Sequence, residues 1–358
     1  MSINHRLNVL GFMDLRFLGG AYSQSVNLGM QDIVKALEWV RDNIEKFGGD
    51  ASNVTVAGQS GGAGKVSTLL GMPSAKGLFR RGIIQSGSFR KATSTEYSGA
   101  FARAFLDELG ITAAQAPARL GSFSYAELRA AGDRAMRKVS PGPLERGGYC
   151  PVFDGRIIAE QSYDPASTLS KDVSIMIGSN FNEMQFDTGQ PKTLDEVRTA
   201  LTARIGADKA ARFIAEFPKV YPGHEPKAML YVDTRVRYNS LCIADAKKAI
   251  GGSAKVYVYQ FNWFPENNVL GASHGMELPF MFNNVAVQRE MTGSSESAYR
   301  LADIVSNYWL SFIKTGDPNC AGQPVWEPYD PVNRPTMILD NVCGTRRGHD
   351  RVLIELTQ

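Results

Sequence analysis

Between Asn27 and Gly48 the apolar residues Ile33, Leu37, Val40, Ile44 and Phe47 recur at steps of three and four, the spacing of one face of an α-helix. Asn27 suits the N-cap and Gly48-Gly49 the stop, because asparagine accepts first-turn amides and glycine tolerates the left-handed turn that ends a helix. The period then changes. Asn53-Val-Thr-Val-Ala57 is a short β-branched run, and further apolar runs stand at Gly82-Ile-Ile-Gln-Ser86, Val173-Ser-Ile-Met-Ile177 and Val256-Tyr-Val-Tyr259. Long stretches of helical period separate them, with capping boxes at Ser124-x-x-Glu127 and Thr193-x-x-Glu196. Strands alternating with helices predict an α/β fold built on a mostly parallel sheet flanked by helices.

Toward the C-terminus Leu301, Ile304, Tyr308 and Phe312 share one helical face, while residues 336–340 and 351–356 read as two closing strands. No repeat, linker or low-complexity tract divides the chain, which predicts a single α/β domain over 1–358 with helical excursions at about 90–172 and 187–250. Hydrophobic residues at 43% and charged residues at 21% are enough for a packed core and exclude disorder. The balance of 39 Lys+Arg against 36 Asp+Glu, with no block of five or six like charges, makes nucleic acid an unexpected partner. No apolar run approaches the roughly eighteen residues of a membrane span, and the sequence opens without a signal-peptide pattern. The four cysteines, Cys150, Cys242, Cys320 and Cys343, form no Cys-x-x-Cys pair and read as free or buried thiols, with a Cys320–Cys343 bridge left open. Metal-site and calcium-loop patterns are absent, so no metal is expected.

The chemistry concentrates after the strand at 54–57. Gly58-Gln59-Ser60-Gly61-Gly62 follows it directly and precedes a helix-compatible stretch, 63–70. A nucleophile elbow requires this strand, sharp turn and helix, with small residues two positions either side of the serine where backbones pass closely. Glycine is 35 of 358 residues, so two specified glycines arise by chance at roughly 0.01 per serine, and at Ser60 the flanking strand and helix agree with the motif. The same stretch nearly spells a phosphate-binding loop ending Gly64-Lys65-Val66. Gln59 stands where that loop needs its first glycine and Val66 where it needs a magnesium-binding hydroxyl, so the nucleotide reading is broken at both ends.

A serine hydroxyl needs a base to take its proton and an acid to orient the base. Of four histidines, His5 precedes Ser60, against the chain order serine, acid, histidine. His224 and His349 read as surface residues. His274 lies in a loop some fifteen residues past the strand at 256–259, beyond a carboxyl end where open α/β sheets build their sites. The acid should follow the strand at 173–177, which leaves Glu183 and Asp187 as a close choice on spacing.

These residues carry a resemblance. Asn4-His-Arg-Leu-Asn-Val-Leu-Gly-Phe12, Trp39-Val-Arg-Asp-Asn-Ile-Glu-Lys-Phe-Gly-Gly-Asp50, Gly58-Gln-Ser-Gly-Gly62 and Lys76-Gly-Leu-Phe-Arg-Arg-Gly-Ile-Ile-Gln-Ser-Gly-Ser88 resemble type-B carboxylesterases, the α/β-hydrolase family that includes cholinesterases. The likeness continues through Pro151-Val-Phe-Asp-Gly155, Ile177-Gly-Ser-Asn-Phe-Asn-Glu183, His274-Gly-Met-Glu-Leu-Pro-Phe280 and Trp309-Leu-Ser-Phe-Ile-Lys-Thr-Gly-Asp-Pro-Asn319, covering nearly the whole chain. The resemblance implies Ser60 as nucleophile, Glu183 as acid, His274 as base and the N–H of Gly61 as an oxyanion donor, with Glu277 a structural neighbour. It also implies a small carboxylic ester as substrate and no dissociable cofactor.

The chain departs from the family pattern as well. Gln59 stands where many members have glutamate and Gly61 where many have alanine. A glycine-rich loop that supplies oxyanion donors precedes, in the family, the segment similar to Ile3-Asn-His-Arg-Leu7, and Met1 and Ser2 are all that precede it here. The expectation is therefore an N-terminally incomplete hydrolase, short of its opening strands and slow on esters by itself. A catalytically silent hydrolase-like binding protein is the competing reading. Phe12, Phe89, Trp263, Phe280 and Phe282 are the candidate apolar walls of a substrate pocket.

Overall fold

The computed structural model describes residues 1–88, 92–139, 147–161, 163, 166–183, 192–266 and 271–358. It contains two compact units, one of residues 1–54, 65–80 and 89–171, the other of residues 55–64, 81–88 and 172–358. Asp187 and Phe89 lie outside the described residues.

In the first unit the expected helix spans Leu28–Asn43 and tightens into a 3-10 turn, Ile44–Phe47, that ends at Gly48 with φ +79°. It buries Ile33, Val34 and Leu37, but Phe47 is 71% exposed beside Trp39. The face predicted from spacing is thus rotated at its end, because the 3-10 turn breaks the 3.6 period. Asn27 is also not a side-chain cap. It sits in the left-handed region with φ +57°, and its amide clamps the Val152 backbone, donating to the carbonyl and accepting from the N–H, both at 2.7 Å. Helices Thr95–Glu108 and Tyr125–Lys138 pack Phe101, Phe105, Leu106, Ala131 and Ala135 around Val9 and Met13. The Ser124/Glu127 capping box forms as expected.

The second unit is organised by a sheet of six strands in sequence order, β1 Thr55–Gln59, β2 Arg81–Gln85, β3 Ser174–Asn180, β4 Val256–Phe261, β5 Pro335–Leu339 and β6 Gly344–Arg347. β1 to β5 pair in parallel and β6 returns antiparallel. β4 and β5 are buried at every position, which is why they read as continuous apolar runs. Helices Leu194–Ile205, Ala207–Val220 and Arg235–Ala249 stand between β3 and β4, the first opened by the Thr193/Glu196 capping box. Helix Glu296–Thr315 buries Leu301, Tyr308 and Phe312 against Tyr257, Tyr259 and Trp326.

One expected strand is corrected. Arg351–Thr357 is a helix, not a closing strand, and the closing strand is β6. The short run Val352-Leu353-Ile354 fits either period, and its burial on one helical face with Leu356 decides for helix. Gly-Thr-Arg-Arg carries no apolar run because β6 is half-exposed to exposed along its length.

Candidate active site

Strand β1 delivers Ser60 at its carboxyl end, and the helix Gly61–Leu69 begins on the next residue. The turn is forced. Ser60 adopts φ +57°, a left-handed conformation that costs a non-glycine residue of order 1 kcal/mol or more. Its amide donates to the carbonyl of Gln85 at the end of β2 (2.8 Å), and its carbonyl accepts from Gly64 N–H (3.1 Å). A Cβ on Gly58 would lie 2.4 Å from the Gly62 carbonyl carbon, so glycine is required there. Gly62 differs from the sequence argument, since a Cβ on it meets nothing within 4 Å. The second close approach belongs to Gly87, where a Cβ would stand 2.0 Å from the Ser60 carbonyl oxygen. Sequence reading missed Gly87 because its partner is distant in the chain.

The acid turn and the histidine loop are held to each other. Beyond β3, Asn180 N–H donates to Glu183 Oε1 (2.8 Å), folding the carboxylate back toward the strand end. Asn182 N–H donates to the Ala272 carbonyl (3.2 Å), Asn182 bridges Ser273 in parallel register, and His274 N–H donates to the Glu183 carbonyl (2.9 Å). The Asn180 side chain adds bonds to the Ser273 carbonyl and to Glu277 Oε2, both 2.6 Å. Glu183 Oε2 then stands 2.6 Å from His274 Nδ1.

Electrostatics follow from this packing. The Glu183 hydrogen bond raises the His274 pKa above its ordinary 6.5, against a smaller opposing effect of burial, with Glu277 and Asp233 adding negative potential. Burial first, and the Glu183 charge second, push the Glu277 carboxyl up to about 7. Asp233, which accepts from Val236 and Arg237 N–H, is pushed to about 7 by the same two causes. A group of carboxyls around one imidazole is a proton-handling arrangement.

His274 Nε2 faces the amide nitrogen of Gln59 at 3.1 Å. With Nδ1–H given to Glu183, Nε2 accepts from that amide. Among the described residues, no hydrogen bond joins Ser60 Oγ to His274. The structure therefore brings Glu183 and His274 together, and places beside the imidazole the residue next to Ser60. Gln59 and Asn180 were not foreseen as site residues. A polar Asn180 ending a buried apolar strand was the available signal for the second.

The other candidates fall elsewhere. His5 bonds the Arg6 carbonyl. His224 is stacked on Phe181 at 4.8 Å. His349, expected at the surface, has a side chain only 8% exposed, covered by Tyr221 and Gln260. Phe12, Trp263 and Phe280 are core residues, 4%, 0% and 0% exposed, and Phe282 is 64% exposed. All four cysteines are free thiols. No helix among the described residues is long and apolar enough to cross a membrane.

Residues 1–349 match the Carboxylesterase family. The chain is 31% identical over 351 residues to the para-nitrobenzyl esterase of Bacillus subtilis, covering 95% of this chain and 69% of that one. It is 29% identical over 349 residues to the phenmedipham hydrolase of Pseudarthrobacter oxydans, covering 92% and 66%. It thus spans about two thirds of the length of these relatives. Among solved structures, an esterase from Clostridium hathewayi that hydrolyses aliphatic aromatic polyesters superposes with a TM-score of 0.85 at 34% identity, over 99% of this chain and 71% of that one. Fold, motif order and these relatives agree: the chain belongs to the carboxylesterase family of α/β-hydrolases, whose members hydrolyse carboxylic esters.

Proposed function

We propose that this protein hydrolyses carboxylic esters through Ser60, His274 and Glu183. Ser60 Oγ attacks the ester carbonyl carbon while His274 Nε2 takes its proton, and the imidazolium returns that proton to the departing alcohol. Water, activated by the same Nε2, then cleaves the acyl-serine and releases the carboxylic acid. Glu183 holds the Nδ1–H tautomer and stabilises the imidazolium. The observation that supports the reading is the 2.6 Å Glu183–His274 bond set beside a serine strained at φ +57°.

For the attack, Ser60 Oγ has to replace the Gln59 amide at Nε2. The N–H of Gly61, at the first turn of its helix, is the proposed oxyanion donor. Loss of one such donor typically slows turnover ~10²- to 10³-fold. With one assigned donor, slow turnover of a short activated ester is expected from residues 1–358 on their own. The competing reading, a silent hydrolase-like binding protein, draws support from Gln59 occupying Nε2.

An active-site fluorophosphonate separates the two. The esterase reading expects labelling at Ser60 alone, abolished in Ser60→Ala, together with release of p-nitrophenol from p-nitrophenyl acetate. Labelling that survives Ser60→Ala removes the assignment, and a complete absence of labelling and turnover favours the silent protein.

A further inference from the structure

A cavity of about 380 Å³ opens in the sheet-bearing unit and is lined from the carboxyl ends of β3, β4 and β5. Asn180 pairs with Phe261 and Phe261 with Leu339, so the residues just beyond them, Phe181, Asn262 and Asp340, are neighbours across the sheet. That crevice is where open α/β sheets place ligands, and its size suits a small organic molecule. Ser60 leaves the sheet from β1, whereas this cavity belongs to the opposite strands.

Its walls combine aromatic faces with hydrogen-bond acceptors. His224 lies flat on Phe181, with centroids 4.8 Å apart and planes at 6°. Phe264 stands edge-on to both, at 5.4 Å from Phe181 and 5.2 Å from His224. Burial lowers the His224 pKa, so at neutral pH the ring is an uncharged aromatic surface. Asn262 is 4% exposed, and its side-chain Oδ1 has no hydrogen-bond partner. Asp340 accepts from Asn341 N–H through Oδ1 (2.7 Å), and burial raises its pKa against the opposing effect of that hydrogen bond. Lys227, also on the wall, is paired with Glu225 at 3.3 Å.

We propose that this cavity binds a small aromatic ammonium ion. Its N–H groups donate to the Asp340 carboxylate, and its ring lies against Phe264 and His224. A carboxylate beside electron-rich ring faces attracts a cation, and a hydrogen bond to that carboxylate requires that the cation carry N–H. A quaternary ammonium satisfies the first demand and fails the second. The site also adjoins the candidate triad. Asn182 and Gly271 line the cavity, and Asn182 pairs with 272–273 one rung before Glu183 pairs with His274.

Titration calorimetry with benzylamine tests the assignment directly. The expected result is one site per chain, with benzyl alcohol and tetramethylammonium each at least tenfold weaker and Asp340→Asn at least tenfold weaker for benzylamine. Circular dichroism checks that Asp340→Asn is folded, and if it is not, the three-ligand comparison on the unaltered protein still decides. Protein blocked at Ser60 by a fluorophosphonate should bind benzylamine within twofold of the free protein. Absence of saturable binding up to 10 mM, equal binding of benzyl alcohol, or loss of binding on blocking Ser60 overturns the proposal. If Ser60 takes no label, the esterase reading fails by itself while the Asp340 and ligand comparisons still judge this site.

Discussion

Two histidine–carboxylate pairs lie in the same unit and behave in opposite ways. His274 Nδ1 stands 2.6 Å from Glu183, and its pKa is raised. His349 Nδ1 stands 3.7 Å from Asp350, and its pKa is lowered to about 4. The difference lies first in burial, the His349 side chain being 8% exposed against 23% for His274, and then in what else each carboxylate faces. Arg237 donates to Asp350 from Nε (2.8 Å) and Nη2 (3.2 Å), holding that carboxyl well below the usual range. For His349 burial comes first and outweighs the upward pull of the Asp350 charge, with the Arg237 and Arg346 charges adding to burial, so the ring stays neutral, its Nε2–H given to Gln260 (3.2 Å). Glu183 bonds only backbone and imidazole in the described structure, which leaves its charge for His274. Here the carboxylate raises the histidine pKa where the bond is short, the ring half-buried and no guanidinium shares the carboxylate.

The largest expected effect contrasts the two acids. Glu183→Gln should lower the turnover number ~10⁴-fold by losing the tautomer and the imidazolium's counter-charge, whereas Asp350→Asn should leave turnover per folded molecule within about twofold. Steady-state kinetics with active-site titration measures both, and equal losses would break the comparison. Stability reverses the order. Asp350→Asn strands the fully buried Arg237 guanidinium and should cost about 3–5 kcal/mol in urea unfolding, more than Glu183→Gln.

Acid should expose the second pair. A His349 pKa of about 4 in the folded protein against 6.5 unfolded means the unfolded chain binds more protons between those values. The fold should therefore lose about 3 kcal/mol as pH falls from 6.5 to 4, at 1.36 kcal/mol per unit. Melting of His349→Gln across that range should show a flatter slope. The raised His274 pKa acts with opposite sign: its stabilisation is complete below 6.5 and is lost as pH rises through the folded value. The smallest effect is spectroscopic. By NMR titration the His274 pKa should fall in Glu183→Gln and stay unchanged in Asp350→Asn, and a shift in the second would show the pairs to be coupled.

Local chemistry made much of this legible in the sequence. β4 and β5 are buried throughout and announced themselves as apolar runs, and both capping boxes formed where Ser or Thr stood three residues before Glu. β6 was illegible because a half-exposed edge strand needs no apolar run, and Arg351–Thr357 was misread because three adjacent apolar residues satisfy either period. Asn27 matched a cap and was diverted to Val152, 125 residues away.

At the site, sequence alone determined the elbow, since Gly58 and the strand-to-helix switch around Ser60 are local demands of backbone geometry. It also bounded the proposed acid and base to residues beyond particular strands. Tertiary structure decided the rest. Gly87 against Ser60, Asn180 across Glu183 and Ser273, and Gln59 on His274 are contacts between segments remote in sequence. Which histidine is basic depends on burial first and on Arg237 after it, a residue that no spacing rule connects to His349 or Asp350. Pair electrostatics falls off with distance in space, and periodicity reports only distance along the chain.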